Sequence, residues 1–386
     1  MAASTVVLGA EHRTPDRSRG AWAFVGPALL FHLLTRALTV TALVVGALRD
    51  GRSYAEVVTG WDGKWFGQIV AGGYPTELPV NEAGHVVTNP AAMFPLFPML
   101  LRPLTALGIP YWLAAQVEVL ACSTGAAVVI ALVCRHYVGD RVAILVSCCW
   151  SVFPTASVLS VAYSEALFTL TAAGTLLLLL RRQWVWAGVV AALAGAARPT
   201  GIVVVAAVGV AVLEAIARRR EWRSLVALAI APLGTLGSLA LIGLSAGRLD
   251  AWFITQSEGW RVRYDGGATF ARWVWTTMTE ASNPTKMVFA VAVLAAVALA
   301  VLAALRRPPL PVLTFLVLGT LLAIGQGGAF YLSPLRFMLP LFPLLVPVAA
   351  WLAGRPRWFI VASLGGAALV SAAIGVYYFT ISGGAP

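Results

Sequence analysis

The chain has 386 residues, 60% of them hydrophobic and only 11% charged, a balance that excludes a soluble enzyme of this length and fits a polytopic membrane protein. Its formal charge of +11 comes from basic residues set in pairs and triplets at the ends of apolar runs, which is the pattern of membrane topology rather than of nucleic-acid binding. The four cysteines (Cys122, Cys134, Cys148, Cys149) fall within or beside apolar helices and read as small hydrophobes, with no disulfide or metal centre expected.

The chain opens with a polar tail, residues 1–21, carrying Arg13, Arg17 and Arg19. The apolar run that follows is too long for a signal-peptide core and lacks a small-residue cleavage motif, so it is expected to stay as an anchor with the tail inside. A single transmembrane domain is predicted over 22–380, with a short tail at 381–386. A bilayer core of roughly 30 Å needs about 20 apolar residues per helix. Spans are predicted at 22–46, 111–134, 142–160, 163–180, 184–197, 200–217, 223–246, 287–305, 310–325, 333–353 and 357–379. The fold class is therefore all-α polytopic, with about 11 transmembrane helices. The runs are continuous rather than alternating, which favours helical spans over a barrel.

With this arrangement the inward connections carry Arg135 and Arg141, Arg181 and Arg182, Arg218 to Arg220 with Arg223, Arg306 and Arg307, and Arg355 and Arg357, as the positive-inside rule asks. Counting 93–108 as a further span would invert everything after it. That segment is read as a re-entrant or interfacial helix, and its prolines at 95, 98 and 103 fit a broken one. Two outward segments, 47–110 and 247–286, are too long to be simple connections and are where function is expected.

The first holds GWDGKWFGQIVAGGYP at 60–75. Asp62 and Lys64 stand among Trp61, Trp65, Phe66 and Tyr74, on a spacing that predicts a short amphipathic helix. One reading is an aromatic belt with a solvated charge pair; the other is a carboxylate held at membrane level as a general base. Arg36 lies near the centre of the first span with His32 one turn earlier. An arginine there costs about 2.5–3.5 kcal/mol on insertion scales, so it should meet a partner such as Glu118, or a wet cavity.

Glu165 follows Tyr163 and Ser164 in AYSEALF, as a helix-capping acid or as a carboxylate for sugar hydroxyls. AARPTG, 196–201, breaks an apolar run at Arg198, and YLSPLRFMLPLFP places Arg336 at another outward end. Each arginine either snorkels or binds phosphate. The second loop sets Trp252, Phe253, Trp260, Tyr264, Trp273 and Trp275 among Arg261, Arg263 and Arg272, which suits sugar stacking and lipid headgroups equally. There is no phosphate-binding glycine loop, serine elbow, dinucleotide fingerprint or His/Cys cluster.

Four of these stretches together resemble one family. GWDGKWFGQIVAGGYP is similar to its WDG-x-W-Y segment, MFPLFPMLLR to F-F-P-L-Y-P, AYSEALFTL to Y-S-E-S-L-F, and AARPTG to its T-R-P-T-G turn. The family is that of GPI mannosyltransferase II and its bacterial relatives, in the GT-C class of membrane glycosyltransferases. The resemblance runs in order from Arg36 to about Arg336.

It implies a GT-C fold, a polyprenyl-phosphate mannose donor, and inverting transfer to a glycolipid or lipid-linked acceptor. By the same resemblance Asp62 is the catalytic base, and Arg36, Arg198, Glu165 and Arg336 are donor-site residues. Trp61, Lys64, Trp65, Tyr74 and Tyr163 are expected around the acceptor. Phe66 and Phe97 stand where the family often has tyrosine. No cofactor, metal or nucleic acid is expected. The abundance of arginine over lysine points to a high-GC bacterium, hence an inner-membrane protein with its site facing outward. The competing class is a flippase or transporter of a lipid-linked sugar, which the lack of inverted repeats disfavours. An assembly subunit without catalysis is a third.

Overall fold

The computed structural model describes residues 21–280, 283–328 and 333–381. The basic tail expected over residues 1–20 and the last five residues lie outside the described residues. The architecture is α-helical, and six stretches among the described residues are long and apolar enough to cross a membrane: Ala23–Arg49, Tyr111–Val138, Pro199–Arg219, Trp222–Ser245, Pro284–Leu305 and Arg357–Ile381.

In chain order, α1 (Ala21–Arg49) is followed by a capped turn of helix, α2 (Tyr54–Val58), and by α3 (Asp62–Gly72). Ser53 and Glu56 form a capping box on α2, which fixes the chain as it leaves α1. Next comes α4 (Leu96–Ala106), whose 11 residues are too few to cross. It packs on α3, with Phe97 edge-on to Phe66 at 4.8 Å. The segment 93–108 holds one short helix rather than a broken one. Pro95 caps it, Pro98 sits in its first turn, and Pro103 alone falls in its interior.

The long α5 (Tyr111–Val138) runs about 42 Å at 1.5 Å per residue and defines the two ends of the bundle. At its start the Tyr111 hydroxyl donates to the Gly63 carbonyl at 2.6 Å. At its finish Arg135 chelates Asp140 of α6 (Asp140–Ser151). From there the chain shuttles through α7 (Glu165–Leu180), α8 (Trp184–Ala197), α9 (Ile202–Arg219), α10 (Leu225–Ile230) and α11 (Leu233–Ser245). After α12 (Ala251–Ile254) and α13 (Ala268–Glu280) come α14 (Pro284–Leu305), α15 (Leu310–Gly325), α16 (Pro334–Met338), α17 (Val346–Ala353) and α18 (Arg357–Val376).

Three predicted spans are not continuous helices. The stretch 142–160 is α-helical only to Ser151, then passes Pro154 into a 3-10 turn, Ala156–Ser160. The stretch 223–246 breaks at Pro232, between α10 and α11. The stretch 333–353 is divided into α16, a 3-10 turn Phe342–Leu345, and α17, where Pro334, Pro340, Pro343 and Pro347 interrupt the amide ladder. Buried side chains take up the freed backbone groups, as a low-dielectric interior requires. Trp150 donates its indole N–H to the Leu339 carbonyl, Thr155 its hydroxyl to Leu335, and Ser371 its hydroxyl to Phe153.

The described parts of the two long loops dock on each other. In the second, a π-helical turn Thr255–Gly259 leads to β1 (Val262–Tyr264), which pairs antiparallel with β2 (Gln326–Gly328) at the end of α15, Arg263 opposite Gly327. Glu258 accepts from the Val86 amide at 2.8 Å, and Trp252 and Gln256 both donate to the Ala92 carbonyl. Asp265 accepts amides from Gly267 and Thr269 at the start of α13; the Thr269 hydroxyl holds its carboxyl below the usual carboxylate range.

Candidate functional site

The site begins with a strained turn. Trp61 sits at φ 51°, ψ −118°, a conformation costly for an aromatic residue, and it aims the first residue of α3, Asp62, back into the bundle. Gly63 then lies so close to the chain before α7 that a Cβ there would stand 3.1 Å from the Ala162 Cβ and 3.2 Å from the Val58 carbonyl oxygen. The Ala162 amide donates to that same carbonyl at 2.9 Å. This close approach brings Asp62 beside Tyr163, Ser164 and Glu165.

The opposing cations come from two further breaks. Pro199 forces Arg198 out of the helical region, to φ −152°, at the end of α8. The following 3-10 turn closes tightly enough that a Cβ on Gly201 would fall 2.5 Å from the Gly195 Cα. Arg336 lies on the short α16. Arg336 donates from Nη2 to Asp62 and from Nε to Glu165, while Arg198 reaches the same Glu165 oxygen at 2.8 Å and the Ser164 hydroxyl at 3.2 Å. Two acids and two arginines thus form a neutral quartet, drawn from four separate stretches of chain.

The quartet is interior rather than peripheral. Glu165 is 1% exposed and Arg336 3%, so neither Arg336 nor, by its ion pair with Glu165, Arg198 snorkels toward a headgroup layer. The Arg336 guanidinium also lies 4.5 Å from the centre of the Tyr163 ring, a cation–π contact. Two buried polar atoms beside it, Glu165 Oε2 and the Tyr163 hydroxyl, have no hydrogen-bond partner among the described residues. A ligand carrying both donors and acceptors satisfies them.

Asp62, Ser164, Arg198 and Arg336 border a cavity of about 860 Å³. Its other walls are Phe66 and Phe94 from the first loop, Trp252, Gln256, Trp260, Arg263 and Tyr264 from the second, and Ile202 and Leu322 from α9 and α15. The volume lies within the range of small-molecule sites, and the wall grades from apolar helices to polar and aromatic loops. Gln256 is the polar lining residue that sequence reasoning did not name; the only signal for it was the crowding of aromatics and cations around it in the second loop.

Several expected site residues are elsewhere. Arg36 does not reach the cavity and does not meet Glu118. Its guanidinium is spent on the non-helical stretch after α6, donating to the carbonyls of Ala156 at 2.5 Å and Ser151 at 2.6 Å and to the Ser160 hydroxyl at 3.2 Å. Arg36, expected at the donor phosphate, is thus engaged by carbonyls freed at the Pro154 break and is not among the residues lining the cavity. His32 is held between the hydroxyls of Ser151 and Ser123, and Glu118 takes the Cys122 thiol.

Trp61, Lys64, Trp65 and Tyr74 also do not line the cavity. Trp65 packs edge-on to Trp260 at 5.6 Å, joining the two loops. Lys64 opens instead on a shallow groove on the far side of α3, with Gln68 and Tyr111. Tyr74 donates to the Met93 carbonyl at 2.7 Å, and burial pushes its phenol well up. Tyr163 serves from beneath, as the ring under Arg336. Among the described residues no group of three His, Cys, Asp or Glu side chains could hold a metal ion. Compared with known proteins, the chain matches no family model and no curated relative.

Proposed function

We propose that the protein is a membrane glycosyltransferase of the GT-C type, with about eleven membrane crossings. In this reading it transfers mannose from polyprenyl-phosphate mannose to a glycolipid or lipid-linked acceptor, on the outer face of a bacterial inner membrane. The observation that carries the reading is the convergence of Asp62, Glu165, Arg198 and Arg336 at the wall of one cavity that is apolar toward α9 and α15 and polar toward the loops.

The apolar wall at Ile202 and Leu322 suits the first isoprene units of the donor, and Arg198 and Arg336 suit its phosphate. Trp252, Trp260 and Gln256 suit a sugar ring, through stacking and hydrogen bonds. As donor phosphate enters, Arg336 is shared with it, which frees an Asp62 oxygen to accept a hydrogen bond from the acceptor hydroxyl. Asp62 then takes the proton of the acceptor hydroxyl as that oxygen bonds to the anomeric carbon. The bond from that carbon to phosphate oxygen breaks, and polyprenyl phosphate departs with both electrons, stabilised by the two arginines. Attack opposite the leaving group inverts the anomeric centre. Glu165 never titrates in this scheme; it fixes the spacing of the two cations.

The test is transfer of radiolabelled mannose from polyprenyl-phosphate mannose to membrane lipids, wild type against Asp62→Asn at equal folded protein. Loss of a general base lowers the rate by about 10²–10⁴. A mutant as active as wild type removes Asp62 from the chemistry. If wild type itself labels nothing, the donor is wrong, and transport of a lipid-linked sugar becomes the assay.

A further inference from the structure

A second cavity lies at the other end of the bundle from Asp62. About 450 Å³ in volume, it opens between the last turns of α5 and α14, the first turn of α6, and the chain from Pro343 to Ala350. Val138, Val142 and Val346 make its walls apolar, and Arg306 and Arg307 stand at its edge. Among the described residues no acidic one lines it. Three other arginines at this end are ion-paired, Arg135 with Asp140, Arg182 with Glu221 and Arg218 with Glu214, and what sets Arg306 and Arg307 apart is the apolar hollow they border. Arg306 and Arg307 have no carboxylate partner among the described residues.

Two unpaired cations over an apolar hollow select an amphiphilic anion. A bare anion gains from the arginines but is opposed by the carbonyl ends of α5 and α14, which terminate here. An amphiphile adds the burial of its glycerol and first methylenes against Val138, Val142 and Val346, each buried methylene contributing about 0.8 kcal/mol. Tyr137, also in the lining, has the ring-and-hydroxyl character found at headgroup depth. The hollow is also far larger than phosphate alone requires.

We infer that this cavity binds the headgroup of an anionic phospholipid from the leaflet opposite the Asp62 end, its phosphate between Arg306 and Arg307. The site is independent of the proposed reaction, and its test does not read turnover. Native mass spectrometry of the full chain, released from nanodiscs of phosphatidylglycerol mixed with phosphatidylcholine, counts the retained lipids. Wild type is expected to keep one phosphatidylglycerol. In Arg306→Gln/Arg307→Gln its affinity falls roughly 30-fold, about fivefold for each basic contact. Ala350→Trp, which narrows the hollow and leaves both charges in place, also weakens retention of the lipid, whereas Arg218→Gln/Arg219→Gln, outside the cavity, keeps it. The inference is overturned if the two arginine pairs behave alike, if Ala350→Trp binds the lipid as tightly as wild type, or if inorganic phosphate at matched concentration displaces it.

Discussion

Asp62 owes its position to its neighbour. Because a Cβ at Gly63 would press on Ala162 and on the Val58 carbonyl, Gly63→Ala pushes the start of α3 away from the chain that carries Glu165. Displacement of a reacting group by about 1 Å costs on the order of 10²-fold in rate. The expected result is therefore a loss of that size in mannose transfer from a protein that still elutes as wild type does, measured in single-turnover assays with saturating donor. A variant that transfers at the wild-type rate shows that Asp62 need not sit where Gly63 puts it. Asp62, Glu165, Arg198 and Arg336 were all legible as chemistry in the sequence, since charges are costly at membrane depth and so draw attention wherever they occur. Their pairing was not legible, because nothing in local spacing tells a snorkelling arginine from one that reaches a carboxylate 171 residues away, as Arg336 does to Glu165. Arg36 misled for the same reason: its cost was visible, but the carbonyls that repay it belong to a break more than a hundred residues later.

At the scale of elements, the helix breaks rather than the helices build the site. Glu165 begins a helix after the Pro154 break, Arg198 ends one before Pro199, and Arg336 sits on the fragment between Pro334 and Pro340. Arg36 is the strut of the first of these breaks. Replacing it by glutamine leaves the Ala156 and Ser151 carbonyls short of donors in a buried setting, at a cost on the order of 3 kcal/mol. Arg36→Gln is expected to lower the thermal midpoint and to reduce donor affinity only through disorder around Glu165, so Arg36→Lys restores part of both. A variant of unchanged thermal stability that is defective in donor binding alone returns Arg36 to the donor site. Apolar composition pointed to the six stretches long enough to cross a membrane and to the short α4, because burial in lipid sets length and hydropathy. It could not show where the helices stop, since the residues on either side of each break are as apolar as those within it.

For the molecule as a whole, the two ends of the bundle carry different chemistry. Loops, aromatics and the quartet crowd the end where α5 begins; arginine pairs mark the end where it finishes. If the topology is as proposed, Glu82→Cys is labelled by an impermeant maleimide added outside intact cells, and Arg219→Cys only after lysis. The four native cysteines give little background, being buried or partly so. The opposite pattern turns the protein over and moves the proposed acceptor to the cytoplasm. The sequence disclosed this polarity well, since basic pairs are a local feature, whereas the docking of the two loops rests on contacts such as Glu258 to Val86, 172 positions apart. The wide spacing of the quartet also sets a schedule for synthesis. Asp62 leaves the ribosome 274 residues before Arg336, so at about 5–20 residues per second it waits about 14–55 s for its partner. Glu165 acquires Arg198 within a few seconds, on the same estimate. A nascent chain therefore carries one unmatched carboxylate at the membrane for most of its translation, and any product truncated before α16 keeps that mismatch permanently, as a mark by which quality control can tell it from finished protein.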